Sequence, residues 1–371
     1  MKLMAIPAER KWSMFSLHSD IPMADTQNFI KERFNYHKTS KILLPFPLYV
    51  GSGMYHKLYE SAVEIAKLAT PRIWNTCTLP LPKETTPDFM TVDYAVDENG
   101  DLNVIELQAF PSVNFAMWEL SDWFTQSKYS QEKRTAMHNS IAAKKAKAPV
   151  IVDNQLHSSA TRFDFISAAM HFDVAHPEML YCQNDKVQLL QHPKAKPVTS
   201  IFNRIIMDAC SGNERQCMLT LMASPDITWF NHPSWFYLIN KGTMRHISHR
   251  DIPETIDANA NLPKNLANWV LKRNDGFSSN SVIISPSKND VVASRGFPSI
   301  LQRKVSYTPC VRSALSANPL CAEIRVMLMH NAATSKWGLL SMMGRITKNG
   351  DTSRATSGRG DPGEGVAVVL P

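Results

Sequence analysis

A lysine at the end of a short apolar run is the first feature of this chain that suggests chemistry. The run at 269–271 ends in Lys272, and a loop of small and polar residues follows at 275–281. Such a loop carries little bulk, so its backbone N–H groups and hydroxyls can hydrogen-bond the oxygens of an anion. A solvated strand end beside a plain hairpin turn is the alternative interpretation. The chain has no GxxxxGKS or GxxxxGKT sequence, which excludes a Walker P-loop.

Other charged and polar residues lie in or near predicted strands of the last third of the chain, as Lys272 does. Lys241 lies upstream, in a segment at 231–247 that begins with an Asn-x-Pro sequence. Gln302 and Lys304 lie at the end of another predicted strand, and Arg325 lies within a third. This order of residue types is specific enough to compare with known enzyme families.

An acidic hairpin is predicted much earlier in the chain, at 88–110. Its turn contains the Asn-Gly dipeptide at 99–100, which is a strong signal for a turn between two strands. Asp93 and Glu106 each lie about six residues from this centre, so we expect them to face each other across the hairpin. Glu106 and Gln108 share one strand face, because side chains repeat every two residues. A surface hairpin that merely carries acidic residues is the alternative interpretation.

The order of the segments in the last third resembles the ATP-binding half of an ATP-grasp ligase. In that family an Asn-x-Pro segment and a first lysine precede a strand that ends in a second lysine. A flexible loop, a hinge strand that meets adenine and an arginine-bearing strand beneath the phosphates follow in turn. The resemblance implies that ATP is bound and that Lys241, Lys272 and Arg325 contact its phosphates.

The resemblance also implies roles for the residues around the second lysine. The loop would close over the phosphates, and the strand end at 302–305 would be the adenine hinge. Besides the two lysines, the nucleotide-binding residues implied in this way are Gly276, Ser278, Ser279, Gln302, Lys304 and Val305.

The carboxylates that hold magnesium in ATP-grasp enzymes are missing from their usual place after the arginine strand. The acidic residues found there all lie in a glycine-rich tail and are Asp351, Asp361 and Glu364. The hairpin near the front supplies them instead. That order resembles the circularly permuted ATP-grasp group, which includes glutathionylspermidine synthetase and other relatives with a glutathione-synthetase-like ATP-binding half. It implies Mg²⁺ bound by Asp93, Glu106 and Gln108, with Gln108 in place of the usual asparagine. Mg²⁺ prefers hard oxygen ligands of this kind.

Two further arginines are candidates for contact with the substrate. Arg204 resembles an arginine at a similar place in the permuted group, where it would face the substrate. Arg345 begins an arginine- and glycine-rich stretch whose guanidinium groups and amides suit an acyl phosphate or an anionic substrate. A mobile glycine-rich loop is the alternative interpretation of that stretch.

The family pattern implies a ligase that joins a carboxylate to an amine or a thiol through an acyl phosphate. The expected partners are a small-molecule or peptide carboxylate and an amine or thiol acceptor. An ATP-binding protein without ligase activity is the rival, since it would keep Lys272 and Arg325 but need no acceptor site. An amidase would need a cysteine nucleophile paired with histidine, and no such pairing is evident in the sequence.

Apolar periodicity predicts the elements that position these residues. A helix at 57–69 would bury one face, formed by Leu58, Ala62, Ile65, Ala66 and Ala69. Strand, helix and strand patterns at 148–154, 161–172 and 196–205 predict a small α/β unit. Short runs of β-like composition fill the last third, which predicts an antiparallel sheet.

These patterns divide the chain into three regions. Residues 1–147 form an N-terminal region with the acidic hairpin, and residues 148–230 form a small α/β domain like the one that precedes the ATP-grasp domain in relatives. Residues 231–371 form the nucleotide-binding region. The expected fold class is α+β (α/β), and the resemblance implies a circularly permuted ATP-grasp fold.

Composition narrows the class of protein further. Hydrophobic residues make up 44% of the chain, enough for a core, and no apolar run approaches the roughly 18 residues of a membrane span. The six cysteines form no CxxC pair, which predicts reduced thiols and argues against zinc. The net charge of +7 is spread out and lacks a nucleic-acid-binding signature. We therefore expect a cytoplasmic protein without membrane or nucleic-acid partners, and a homodimer is compatible with the sequence.

Overall fold

The computed structural model describes most of the chain and shows a mixture of helices and strands. The described residues are 15–34, 42–73, 78–97, 99–111, 113–183, 186–191, 194–260, 262–276, 281–313, 315–350, 360–361 and 363–371. The predicted α+β class is therefore confirmed.

The described residues form nineteen strands and eight α-helices. The strands are β1 (Phe15–Leu17), β2 (Leu48–Val50), β3 (Phe89–Val96), β4 (Leu102–Gln108), β5 (Val150–Val152), β6 (Val174–Ala175), β7 (Leu180–Gln183), β8 (Lys186–Gln191), β9 (Lys194–Val198), β10 (Ser200–Asn203), β11 (Thr228–Phe230), β12 (Thr255–Asp257), β13 (Trp269–Arg273), β14 (Val282–Ile284), β15 (Ser299–Arg303), β16 (Val311–Ser313), β17 (Ser316–Asn331), β18 (Lys336–Thr347) and β19 (Gly365–Leu370). The α-helices are α1 (Met23–Phe34), α2 (Ser52–Leu68), α3 (Phe115–Thr125), α4 (Gln131–Ala143), α5 (Arg162–Ala168), α6 (Gly212–Ala223), α7 (Trp235–Leu238) and α8 (Lys288–Ala293).

An eight-stranded sheet forms the largest layer of the molecule, with strand order β16-β1-β2-β19-β18-β17-β3-β4. Both faces are covered, so β3 is buried along all eight of its residues. Side chains alternate between the faces. Val92 and Tyr94 on one face share a core with Leu58 of α2, whereas Phe89 on the other shares a core with Trp118 of α3. This double burial explains why β3 and the middle of β17, at 320–329, carry apolar residues on both faces, interrupted by the charged side chains of Asp93, Glu323 and Arg325.

Helix α2 shows how the local pattern decides the packing. It extends from Ser52 to Leu68, and the predicted face is buried at Leu58, Ala62, Ile65 and Ala66. Ala69 is the C-cap residue, and its backbone N–H donates to Ile65 O. The predicted helix is confirmed, although it begins several residues earlier than its apolar stripe.

The segment at 148–230 contains a parallel sheet with strand order β11-β10-β5-β6 and the helices α5 and α6. The predicted order of strand, helix and strand is therefore present, and the assignment of this segment to a separate domain stays a prediction. The single strand predicted at 196–205 is two strands, because β9 pairs with β8 whereas β10 pairs with β5. The antiparallel sheet β7-β8-β9 was not predicted.

The remaining sheet of the described residues, β12-β15-β13-β14, is antiparallel, as the sequence of the last third indicates. One of its faces builds a small core in which Trp269, Leu271 and Leu301 pack with Val291 of α8. Because side chains alternate, the opposite face presents Lys272 and Gln302. The core on one face therefore fixes the direction of the polar residues on the other.

The division into three regions remains a prediction. The eight-stranded sheet combines β1 to β4, from the first region, with β16 to β19, from the last. Within the part of the chain that the structure describes, no helix is long and apolar enough to cross a membrane. The cysteines in that part are free: Cys310 and Cys321 are buried, and Cys182 is exposed.

Candidate functional site

The predicted hairpin brings its two acidic residues into register. Asp93 on β3 and Glu106 on β4 are direct cross-strand partners, as the spacing around the turn indicated. A β-bulge follows, because Tyr94 pairs with Val104 and leaves Ile105 as the extra residue. The bulge turns the Ile105 carbonyl oxygen out of the ladder, where it accepts a hydrogen bond from a side chain of another sheet.

That donor is Lys272, the lysine at the end of β13. Its Nζ lies 2.5 Å from Ile105 O and 2.7 Å from Gln302 Oε1, and the residue is only 7% exposed. Burial lowers the pKa of Lys272 to about 8, with the nearby Lys241 acting in the same direction and the carboxylates of Glu106 and Asp93 opposing it. A lysine in this setting is a desolvated cation rather than a solvated strand end.

Gln302 orients this lysine. Its Nε2 donates to Val104 O at 3.2 Å and to Thr255 Oγ1 at 3.3 Å, which leaves Oε1 to accept from Lys272. The residue is 1% exposed. The hydrogen bonds of the Gln302 side chain therefore hold Lys272 in position. The remaining hinge candidates lie just beyond β15, where Lys304 is exposed and Val305 is half-buried.

Lys241 begins the 3-10 helix Lys241–His246 and is buried beside β4, the strand that carries Glu106. Its Nζ lies 2.8 Å from Glu106 Oε1 and 2.5 Å from Gly276 O. Burial and the negative charge of Asp93 would raise the pKa of Glu106, but the charges of Lys241 and Arg325 and the hydrogen bond from Lys241 together lower it. The two lysines predicted to contact phosphate thus both contact β4, the strand that carries Glu106.

Asp93 is held by two arginines. Arg325, its cross-strand partner on β17, donates from Nε and Nη2 to the two carboxylate oxygens at 2.6 Å each. Arg345 on β18 donates to Asp93 Oδ2 at 2.5 Å and also pairs with Glu323. Burial alone would raise the pKa of Asp93, but the two guanidinium groups lower it to about 2. The carboxylate is therefore ionised and fully engaged.

Glu323 forms an ion pair with Arg345 and so lies among these residues, although it was not predicted as a site residue. It lies two residues before Arg325 on β17, so both side chains leave the same face of the strand. Tyr307 donates to Glu323 Oε2 at 3.1 Å. The spacing Glu-x-Arg was the available signal, since alternate residues of a strand point the same way.

The charges of the cluster nearly balance. Three carboxylates, those of Asp93, Glu106 and Glu323, face the two lysines and two arginines described above. We call these seven residues the charge cluster. With every group ionised it carries one excess positive charge, so an incoming anion is favoured over a cation.

The loop after β13 begins close to this cluster. A Cβ at Gly276 would lie 2.1 Å from Ser281 Oγ and 2.3 Å from Ser281 Cβ. Any side chain at position 276 would therefore overlap the side chain of Ser281. Ser278 and Ser279 lie outside the described residues, and their predicted role stays a prediction.

Arg204 lies in the α/β unit, directly after β10. Its Nη1 lies 2.8 Å from Asp164 Oδ2, and its guanidinium stacks over Phe165. These described contacts are with the α/β unit and not with the charge cluster. The structure therefore brings together the predicted lysines, Arg325, Arg345 and the acidic hairpin, and leaves Arg204 elsewhere.

The oxygen donors of the hairpin fit the implied magnesium ion in part. Among the described residues there is no group of three or more His, Cys, Asp or Glu side chains that could hold a metal. Mg²⁺ bound with a nucleotide needs only one or two carboxylates, because phosphates and water complete the shell. Glu106 fits, being partly exposed and adjacent to Gln108 on one strand face. Asp93 fits less well as a metal ligand, because both of its carboxylate oxygens accept hydrogen bonds from Arg325 and Arg345.

No protein-family model matches the chain, and no curated protein sequence matches it. The side chains that the fold brings together are therefore the basis for inferring a function.

Proposed function

We propose that the protein is an ATP-dependent ligase of the circularly permuted ATP-grasp type. It would join a small-molecule or peptide carboxylate to an amine or thiol through an acyl phosphate. One observation carries the proposal: Lys241 and Lys272 both direct buried ammonium groups to the carboxylate strand β4 of the other sheet. The two lysines are cations suited to a triphosphate, and Glu106 is a carboxylate suited to its metal ion. They lie together where the sheet of β13 contacts the sheet of β4.

Phosphoryl transfer needs mainly positioning and charge neutralisation, with little covalent participation by the protein. Lys241, Lys272 and Arg325 are desolvated, so their attraction for phosphate oxygens is stronger than in water. Each now donates to a carboxylate or carbonyl of the chain. Nucleotide phosphates would take over these donors, which leaves no buried donor unpaired in either state.

The carboxylates divide the remaining work. Glu106 and Gln108 would hold Mg²⁺, which supplies charge neutralisation at the phosphates. Asp93 orients Arg325 and Arg345 through its two oxygens. Arg345, at the far side of Asp93 from β4, suits the carboxylate or acyl-phosphate end of the substrate.

A positional isotope exchange experiment tests the first half-reaction without knowledge of the acceptor. ATP labelled with ¹⁸O in the β,γ-bridge is incubated with the protein and pools of small carboxylic acids. Acyl-phosphate formation scrambles the label only when an acid that serves as substrate is present. ADP release that then requires an added amine or thiol identifies the ligase.

Variants link this activity to the site. Lys272→Met should lower kcat/KM about 10²- to 10³-fold, the usual effect of removing one preorganised electrostatic donor. Lys264→Met, which changes an exposed lysine just upstream, should leave it unchanged. ATP binding without isotope exchange under any acid pool would support the rival, a nucleotide-binding protein without ligase activity.

A further inference from the structure

The carboxyl edge of the parallel sheet β11-β10-β5-β6 is a second place where the fold brings charged side chains together. The chain passes from β5 through α5 to β6 on one side, and from β10 through α6 to β11 on the other. Helix α5 packs with Ile151 and Phe202, whereas α6 packs with Val152 and Ile201, so the two helices cover opposite faces. The connections therefore diverge between β5 and β10. Open α/β sheets bind ligands at such a topological switch point, beyond the carboxyl ends of the strands.

Asp153 and Arg204 flank the switch point, because they are the first residues after β5 and β10. The two strands stay paired up to this edge: Asn203 is the partner of Val152, and the Arg204 N–H donates to Val152 O at 2.9 Å. Neighbouring strands lie about 4.8 Å apart, so the carboxylate and the guanidinium leave the backbone about one strand spacing from each other. Each of the two residues is only 8% exposed.

Each of these side chains keeps one polar atom that makes no hydrogen bond within the part of the chain that the structure describes. Asp153 Oδ1 accepts from the Gln155 N–H at 2.6 Å, whereas Oδ2 has no donor. Arg204 Nη1 donates to Asp164 Oδ2 at 2.8 Å, whereas Nη2 has no acceptor. Arg204 Nε is shut off from solvent, but Asp153 Oδ2 and Arg204 Nη2 are not. Both of these atoms can therefore reach a ligand at the edge.

The edge has an excess of negative charge. Asp164 pairs with Arg204, and Glu214 pairs with His176 at 3.0 Å. Among the described residues no cation forms an ion pair with Asp153. Burial is the main cause that raises the pKa of Asp153, and the charges of Arg204 and His176 oppose it without reversing the shift. A buried carboxylate without a counter-charge is costly, so the Asp153 side chain favours a ligand that brings a cation.

We propose that this edge binds a free α-amino group beside a carbonyl, as found in an amino-acid amide or at the N-terminus of a short peptide. The ammonium group donates to Asp153 Oδ2, and the adjacent carbonyl oxygen accepts from Arg204 Nη2. Such a ligand brings one positive charge to the negative edge, whereas a zwitterionic amino acid brings none. Neither residue belongs to the charge cluster, so the site does not depend on the proposed ligase activity.

Ligand-observed NMR on the full chain, without nucleotide, tests the proposal with small probes. Glycinamide should bind saturably. N-acetylglycinamide, which has no ammonium group, should bind about tenfold more weakly or worse, because the charge-assisted hydrogen bond to Asp153 is lost. Ethylamine, which has no carbonyl, and glycine, which has no net charge, should also bind more weakly than glycinamide. Glycylglycinamide distinguishes the two sources: tighter binding than glycinamide indicates a peptide N-terminus, and equal or weaker binding indicates an amino-acid amide.

Substitutions locate the binding. Asp153→Asn keeps an oxygen for the Gln155 N–H but removes the charge, and it should weaken glycinamide binding about tenfold or more. The control Asp208→Asn changes an exposed aspartate of the same segment, 3.9 Å from Arg215. It should stay within about twofold of the unmodified chain, and so should Lys272→Met in the charge cluster. The probe series needs no substitution, so it tests the proposal even if Asp153→Asn does not fold.

Three outcomes would overturn the proposal. The first is no saturable binding of glycinamide up to about 50 mM, well above the millimolar range of weak specific sites. The second is binding of N-acetylglycinamide or glycine as tight as that of glycinamide. The third is glycinamide binding that is kept in a folded Asp153→Asn protein. If that binding is lost in Lys272→Met instead, the ligand lies in the charge cluster.

Discussion

Lys272 Nζ donates to the carbonyl oxygen of Ile105 at 2.5 Å, although the two residues are 167 positions apart and lie on different sheets. The contact exists because a β-bulge exposes that carbonyl and Gln302 fixes the lysine. It connects the predicted phosphate-binding strand to the acidic hairpin through the ammonium group of Lys272.

ATP binding should weaken as the pH rises through about 8. The pKa of Lys272 is lowered to about 8, so the ammonium form dominates below that value and the neutral amine above it. Only the ammonium form attracts phosphate. The KM for ATP should therefore be constant near pH 6.5 and rise about tenfold by pH 9, where roughly one lysine in ten stays charged.

The matched variant is Lys272→Met, which has no group that titrates there. Its weak ATP binding should not change over the same pH range. A KM that rises equally in both proteins would assign the pH dependence to another residue.

Asp93→Asn should destabilise the fold by about 3–5 kcal/mol, because it leaves Arg325 and Arg345 buried without their shared counter-ion. Urea unfolding measures the change. Asp101→Asn is the control: Asp101 is an exposed residue of the same hairpin, 3.7 Å from Lys57, and its loss should cost less than about 1 kcal/mol.

Acid unfolding should depend on the same carboxylate. Because the pKa of Asp93 is about 2 in the folded protein and roughly 4 in an unfolded chain, its ionised form stabilises the fold above about pH 4. That stabilisation is lost as the pH falls towards 2. Asp93→Asn should therefore show a flatter decline of stability over this interval, and an identical slope in both proteins would contradict the ion-pair assignment.

Glu106→Gln should raise the Mg²⁺ concentration needed for half-maximal turnover of ATP by about 10- to 100-fold. The change removes the carboxylate charge and the ion pair with Lys241 but keeps the size of the side chain. Gln108→Asn, which introduces the asparagine found in the ATP-grasp pattern that the sequence resembles, should bind Mg²⁺ at least as well as the unmodified chain. If Glu106→Gln leaves the Mg²⁺ requirement unchanged, another residue holds the ion.

Gly242→Ala should destabilise the protein by about 1–3 kcal/mol, because the added Cβ overlaps the buried Asn274 side chain. Its distance to Asn274 Cγ would be 2.5 Å. Gly212→Ala, where a Cβ meets nothing within 4 Å, should be neutral or slightly stabilising. Removal of the neighbour, in Gly242→Ala combined with Asn274→Gly, should cost less than the sum of the two single changes.

Local patterns predicted the parts of the site that depend on local rules. The turn dipeptide and the two-residue repeat of a strand were enough to pair Asp93 with Glu106 across the hairpin. The apolar stripe likewise predicted the buried face of α2. Order along the chain, together with the family resemblance, singled out Lys241, Lys272 and Arg325.

Long-range contacts could not be predicted in the same way. The bulge at Ile105 depends on how β4 meets the smaller sheet, and the ion pair between Arg345 and Asp93 depends on β17 lying between their strands. Short strands such as β1 and β2 carry too few residues for a periodic signal. The contacts that complete the cluster depend on tertiary register, which no single segment encodes.

The strand order of the large sheet has a consequence for how the molecule forms during synthesis. β2 pairs with β19, and β1 pairs with β16, so strands made early wait for partners made roughly three hundred residues later. At a few to about twenty residues per second, that delay lasts at least about fifteen seconds on the ribosome. During it, the apolar face of α2 and the edges of β1 and β2 lack their neighbours, so the nascent chain exposes apolar surface and unpaired strand edges until the last strands are made.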